Sequence, residues 1–278
     1  MARSAAIVLA GGRSVRMGAD KAALDWHGST LLRRVCGIVA RAVDGPVIVV
    51  RAPGQELPAL PASVEVVSDA EPGRGPLQGL YAGLQELAGR AEVSYVSSTD
   101  VPFLHPAFVR RVTGPLGDGV DVVLPVIGGH RQTLAAGYRV DLLATVGALL
   151  EAGEYRPARL FERCNTLIAD HDRLLGDPAL ARLDPQLDSV RNLNDMEEYR
   201  QALLSSPPEI WIDFTDRRRR ATRKRSRAWT LAGAATAAGV SLDGRIGANI
   251  CGSAVDPDPE LPLAIGDVVT FVPTYTGT

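Results

Sequence analysis

A chain of 278 residues, 46% hydrophobic and 22% charged with a net charge of −2, has the composition of an ordinary soluble globular protein and the length for one large domain and one small one. The near-neutral balance gives no global attraction to nucleic acid or to an anionic membrane surface, and no stretch approaches the ~20 apolar residues of a membrane span. Cys36, Cys164 and Cys251 stand far apart with no C-x-x-C, which argues against a disulfide frame or zinc site and fits a reducing cytoplasm.

The chain opens on an apolar run, Ala5 to Leu9, that reads as a buried strand and ends in two glycines, Gly11 and Gly12. The run is too short for a secretory leader, and Arg13 and Arg16 follow it at once. Glycines leave no Cβ in the way, so backbone N–H groups can close on an anion. Arg13, Arg16 and Lys21 supply charge where a triphosphate would sit. This is a phosphate-site pattern, with the spacing of neither a Walker loop nor a dinucleotide fingerprint.

Leu31, Leu32, Val35, Cys36 and Val39 recur at helical spacing and predict an amphipathic helix over 30–42, ended by Gly45-Pro46. Strands are expected at 46–50 and 64–67, with Asp69 just past the second. A glycine-rich loop then leads into a helix at 77–87, followed by a strand at 93–98 that stops in Thr99-Asp100-Val101-Pro102. A helix at 106–112, strands at 121–126 and 134–138, a helix at 142–150 and a closing helix at 194–204 complete the region; no element is assigned within 151–191. Strands alternating with helices predict a parallel α/β sheet covered on both faces. Ligands of such sheets sit beyond the carboxyl ends of the strands, where Gly11, Gly12, Asp69 and Asp100 all fall.

Ser205-Ser206-Pro207-Pro208 reads as a linker, so domains are expected at 1–204 and 209–278. In the second, Ile210, Ile212 and Phe214 alternate as in a strand, an Ala-rich helix covers 229–238, and 265–273 is a turn and a last strand, a small α+β pattern. The basic run 217–227 lacks the interleaved aromatics of a single-strand binder and reads as a solvated hairpin or a partner-docking loop.

Two stretches resemble known families. L-A-G-G-R-S-x-R-M-G-x-D-K-A, at 9–22, resembles the signature loop of the nucleotidyltransferases that mature the molybdenum cofactor. Gly11 makes it most similar to the guanylyltransferase branch, since the cytidylyltransferases usually carry Ala there. The resemblance implies a Rossmann-like nucleotidyltransferase sheet and transfer of GMP from GTP to molybdopterin or molybdenum-molybdopterin, with release of pyrophosphate. It implies nucleotide contacts from Leu9, Ala10, Gly11, Gly12, Lys21, Asp69, Gly79 and Asp100, with Gly79 leaving the backbone open to base or ribose. Asp100 would hold Mg²⁺, or Mn²⁺ in its place, and Arg16 and Lys21 would neutralise the departing phosphates, which makes Arg16, Lys21 and Asp100 the catalytic set. His130, Arg131, Asn192 and Asn194 would face the acceptor, Asn194 also capping the last helix with Glu197. The chain departs from the family after the second strand, where an expected Asn is replaced by Val50-Arg51-Ala52-Pro53 and Arg51 is the substitute contact. CTP as donor, another phosphate acceptor such as a sugar phosphate, and a nucleotide-binding scaffold are the other functions this pattern admits.

The tail, through Gly266-Asp267-Val268-Val269-Thr270-Phe271-Val272-Pro273 and Gly277, resembles the ubiquitin-like β-grasp sulfur carriers of molybdopterin and thiamine synthesis. Those carriers end in Gly-Gly, whereas this chain reads Gly277-Thr278, so the resemblance implies a docking or structural domain that recruits cofactor-assembly proteins.

Overall fold

The computed structural model describes residues 2–11, 20–69, 74–215, 221–243 and 245–273. The chain forms two compact units. One comprises the chain up to Leu24 together with Thr30–Tyr199, and the other comprises Asp25–Ser29 and the chain from Arg200 onward.

The larger unit is built on strands β1 (Ser4–Leu9), β2 (Val47–Arg51), β3 (Val64–Ser68), β4 (Val93–Ser98), β5 (Val122–Ile127), β6 (His130–Arg131), β7 (Ala135–Arg139) and β8 (Thr166–Ala169). They hydrogen-bond in the order β3-β2-β1-β4-β7-β5-β6, with β8 on β5. β1 runs parallel to β2 and β4, with Leu9 opposite Val50 and Ser98, and β3 runs parallel to β2. The expectation of a wholly parallel sheet is corrected at β7, which is antiparallel to both β4 and β5. The reason is the short return from β5. Gly128 and Gly129, at φ +58° and +80°, turn the chain directly into β6, and a parallel partner would need a crossover of a dozen or more residues.

Helices cover both faces: α1 (Leu31–Ala40), α2 (Pro76–Leu87), α3 (Pro106–Thr113) and α4 (Leu143–Glu151). Residues alternate along β1, so Ala5, Ile7 and Leu9 pack with Leu77, Leu80 and Leu84 of α2 and with Val146 and Leu149 of α4. Burying side chains of this size stabilises the fold by roughly 1.5–3 kcal/mol each. Two glycines let α2 close on β1. A Cβ at Gly83 would lie 2.6 Å from Ile7 Cγ2, and one at Gly79 would lie 3.2 Å from Leu9 Cδ2. α1 starts where the Thr30 hydroxyl accepts the Arg33 N–H at 3.2 Å and buries Leu31, Leu32, Val35 and Ile38. Cys36 shares that stripe, and burial pushes its thiol up to about 12, so it is a packing residue.

The unassigned stretch holds α5 (Pro157–Phe161), β8, α6 (His171–Leu175) and α7 (Pro178–Leu183). Four to six residues are too few to display a period. Local chemistry starts two of them: Asp170 accepts the Arg173 N–H at 2.9 Å and Asp177 the Leu180 N–H at 2.8 Å. The last helix of the region, α8 (Met196–Leu203), begins later than expected. Its cap is Asp195, whose Oδ1 accepts the N–H groups of Glu197 and Glu198, both at 2.9 Å, and not Asn194.

The second unit contains β9 (Glu209–Thr215), β10 (Ala221–Arg227), α9 (Leu231–Ala238), β11 (Ile246–Ile250), β12 (Ser253–Val255) and β13 (Val268–Pro273). Its sheet runs β10-β9-β13-β11-β12, with β13 parallel to β9 and the other pairs antiparallel. Ile210, Ile212, Ala248, Ile250 and Val269 pack with Leu231 and Ala234 of α9, which Gly239 ends at φ +67°. Asp25–Ser29 belongs to this unit through its aromatics: the His27 ring stacks on Trp229 at 4.3 Å, and Trp26 meets Trp229 edge-on at 5.5 Å.

Over the residues described, the basic run is the exposed second strand of a β9–β10 hairpin, in keeping with the solvated-hairpin reading and not with a docking loop. Arg223 pairs with Asp213 at 2.7 Å and Arg225 pairs with Glu209, so acids on β9 answer the charges of β10. Gly277 and Thr278 lie outside the described residues. No helix among the described residues is long and apolar enough to cross a membrane.

Candidate functional site

The carboxyl ends of β1, β2, β3 and β4 make one edge of the larger sheet. At the end of β1, the N–H groups of Ala10 and Gly11 both donate to the Val50 carbonyl, at 2.8 and 3.2 Å. A Cβ on Gly11 would stand 3.0 Å from the Ala52 backbone nitrogen, so only glycine lets the two loops run this close. Leu9 is a core residue, and any ligand contact from it is through the backbone. Gly12 and Arg16 lie outside the described residues.

Gln55, which the sequence did not single out, ties this edge together. Its side-chain amide donates to the Ala10 carbonyl at 3.1 Å and to Asp20 at 2.8 Å, and its Oε1 accepts the Ala52 N–H at 3.0 Å. Asp20 in turn caps the short helical turn Lys21–Ala23, its Oδ1 accepting the Ala22 N–H at 3.0 Å. That turn aims Lys21. Its ammonium donates to Asp100 Oδ2 at 2.8 Å and to the Leu193 carbonyl at 2.7 Å, and the two side chains are only 18% and 15% exposed.

Asp100 is held from three sides. It stands two residues past the end of β4, and its carbonyl accepts the Leu193 N–H at 2.9 Å. Two residues on, the Pro102 carbonyl accepts from Nε of Arg34, a buried arginine of α1. Beneath the turn, Ser189 Oγ accepts the His105 N–H at 3.0 Å, and Asp184 takes the N–H groups of Asp188 and Ser189 at 2.7 and 3.1 Å. Arg34, Ser189 and Asp184 carry no motif, so only long-range packing reveals them.

Asp100 Oδ1 is buried with no hydrogen-bond partner, and so is the Ser98 hydroxyl two residues earlier. Buried polar groups in native proteins are almost always paired, so an orphaned carboxylate oxygen at a strand end points to a missing ligand. A hard divalent cation suits it, since Mg²⁺ is commonly held by one or two carboxylates plus phosphate and water. Among the described residues no group of three or more acidic, His or Cys side chains stands ready to hold a metal. Ser98 was legible as a strand residue of the same parity as Asp100, which sends both side chains to one side.

The other expected site residues divide. Asp69 follows β3 on this edge, its N–H donating to the Arg51 carbonyl at 2.8 Å. Arg51 is corrected as a substitute contact: its guanidinium turns back to the Gln55 carbonyl at 3.0 Å and the Ser68 hydroxyl at 3.4 Å. Gly79 is buried in the first turn of α2, where the lack of a Cβ also spares Leu9 a collision. Asn192 and Asn194 are exposed on either side of buried Leu193, beside the Lys21–Asp100 pair, and Asn194 bonds Glu198 at 2.6 Å through its N–H. His130 and Arg131 stand exposed on the hairpin beyond β5. β5 has the same direction as β4 with one strand between, so that hairpin projects from the same edge, on the order of 10 Å further along it.

A carboxylate just past β4, a lysine on the short turn Lys21–Ala23 and an acid after β3 line the carboxyl edge of an α/β sheet. A model of the MobA-like NTP transferase domain matches residues 6–189 of the chain. The chain belongs to the MobA-like NTP transferase family. It is accordingly a nucleotidyltransferase. A probable molybdenum cofactor guanylyltransferase of Mycobacterium tuberculosis is 38% identical over 167 residues, 59% of this chain and 81% of the relative. One from Bacillus cytotoxicus is 29% identical over 163 residues, 58% of this chain and 81% of the relative. Among solved structures, a molybdopterin-guanine dinucleotide biosynthesis protein A from Archaeoglobus fulgidus has the same fold, at a TM-score of 0.57 and 20% identity over 71% of this chain and 96% of that one. A nucleotidyl transferase from Methanothermobacter aligns at a TM-score of 0.51 and 20% identity, covering 72% and 95% of the two chains.

Proposed function

We propose that this chain transfers GMP from GTP to molybdopterin, or to molybdenum-molybdopterin, and releases pyrophosphate. The observation that carries the reading is the buried Lys21–Asp100 pair with Asp100 Oδ1 left unpartnered at the carboxyl edge of the sheet. The guanylyltransferases named above, similar over most of their length, supply the identity of donor and acceptor. In the reaction a terminal phosphate oxygen of the acceptor bonds to the α-phosphorus of GTP as the bond to the pyrophosphate oxygen breaks. The attacking phosphate is already anionic, so no strong general base is required.

Each residue has a share in positioning and charge neutralisation. Asp100 would hold Mg²⁺, with Mn²⁺ as a substitute, and the cation when bound neutralises phosphate charge. Lys21 and Arg16 would draw the departing pyrophosphate. Gly12 would present its backbone to the phosphates, Gly11, whose N–H is taken by the Val50 carbonyl, would admit the nucleotide by its lack of a side chain, and Asp69 would meet the nucleoside. His130, Arg131, Asn192 and Asn194 would orient the acceptor.

We assign the catalytic domain to 1–204, the linker to 205–208 and a β-grasp, ubiquitin-like domain to 209–278. A hairpin, a helix and three further strands, with the last strand lying parallel beside the first, support that architecture. In this reading the domain docks cofactor-assembly proteins. The test is pyrophosphate release by the full chain with molybdopterin and Mg²⁺, GTP and CTP side by side. Turnover with GTP is expected. A preference for CTP reassigns the donor, and nucleotide binding without any pyrophosphate release makes the chain a scaffold.

A further inference from the structure

The Lys21–Asp100 contact places a cation where the metal reading needs a free carboxylate. Lys21 Nζ sits 2.8 Å from Asp100 Oδ2, and its second bond, 2.7 Å to the Leu193 carbonyl, fixes it there. Both side chains are largely buried, so solvent screens the pair poorly. The neutralised pair offers a dication a single orphaned oxygen, Oδ1, beside a like charge. No group of three or more acidic, His or Cys side chains gathers there among the described residues. A carboxylate already neutralised by an ammonium binds a free divalent ion weakly.

We propose that Lys21 is a placeholder cation, which keeps the metal off Asp100 until a polyphosphate ligand draws the ammonium away. The triphosphate is the one partner in the reaction with enough negative charge to take Lys21 from Asp100 and to bring further oxygen ligands to the metal. The metal therefore enters with the nucleotide and not ahead of it. This rests on the nucleotidyl-transfer reading for the identity of the ligand, but its mechanics depend only on Lys21, Asp100 and Leu193.

The test uses Mn²⁺ alone, without nucleotide, with free Mn²⁺ counted by electron paramagnetic resonance against the full-length chain. Wild type is expected to bind weakly. Lys21→Met should bind at least tenfold more tightly, because the carboxylate regains its charge. Lys21→Arg, which keeps the charge, should stay close to wild type. Adding Asp100→Asn to Lys21→Met should remove the gain. If Lys21→Met disturbs folding, seen as a changed circular dichroism spectrum, Lys21→Gln replaces it with the same expectation. Mn²⁺ binding by Lys21→Met no tighter than wild type overturns the proposal, and so does a gain that survives Asp100→Asn. A chain that shows the Lys21→Met gain yet releases no pyrophosphate with GTP or CTP keeps the placeholder and loses the transferase reading.

Discussion

The two ends of the larger sheet differ in how their polar groups are paired. At the amino ends of β1 and β4, a depression of about 440 Å³ is lined by Ala2, Ala88, Val93, Val140 and Leu143, with Arg139 and Asp141 at hand. Its polar groups are satisfied by each other: Arg139 Nε donates to Asp141 at 2.9 Å, and both side chains reach solvent. At the carboxyl ends the chemistry is unfinished, with Asp100 Oδ1 and Ser98 Oγ buried and unpartnered. The unpaired oxygen of Asp100 at the carboxyl edge lies beside Lys21, while the amino-end hollow is flanked by a charge pair that reaches solvent.

The sharpest way to break this contrast is Asp100→Ala. It should cost at least about 10²-fold in the rate of pyrophosphate release, by the usual price of removing a strong charge stabiliser. Near-normal turnover with Mg²⁺ present would remove Asp100 from the chemistry. Next in size is a packing test beneath the same edge. Gly83→Ala sets a Cβ 2.6 Å from Ile7 Cγ2, and the overpacking should lower stability by about 1–3 kcal/mol in a urea titration. An unchanged midpoint would mean α2 is free to move off β1.

Ser98→Ala tests the second orphan. The hydroxyl makes no bond in the folded chain, so stability should hold or rise slightly. Losing one hydrogen bond to bound ligand should slow GMP transfer on the order of fivefold to tenfold. A stability loss with unchanged turnover would make Ser98 a structural residue. The smallest effect belongs to the opposite end. Arg139→Ala breaks an exposed pair, so stability should change by less than about 1 kcal/mol and pyrophosphate release should be unaffected. A fall in turnover there would place function at the amino edge and dissolve the contrast.

Much of the scaffold could be read from local pattern. β1 is an apolar run closed by glycine, α1 has a leucine and valine stripe behind a threonine cap, and β4 is an apolar run that ends at Ser98, four residues ahead of Pro102. Each signal lies within a few residues of what it specifies. The stretch 151–191 was opaque because its elements are shorter than one helical repeat or strand alternation can reveal. The packing role of Gly79 was not legible because a glycine looks the same in sequence whether it admits a ligand or a neighbouring leucine.

By itself the sequence determined the alternation of strands and helices, the glycine break after β1, and the presence of Lys21 and Asp100 as chemically apt residues. These follow from side-chain periodicity and backbone preference, which are local. The tertiary structure alone decided that Lys21 closes on Asp100 across 79 positions and on Leu193 across 172. It also decided that Arg34 and Gln55 hold the loops in place and that one oxygen of Asp100 is left without a partner. Such contacts depend on which buried faces pack together, and no short window of sequence encodes that.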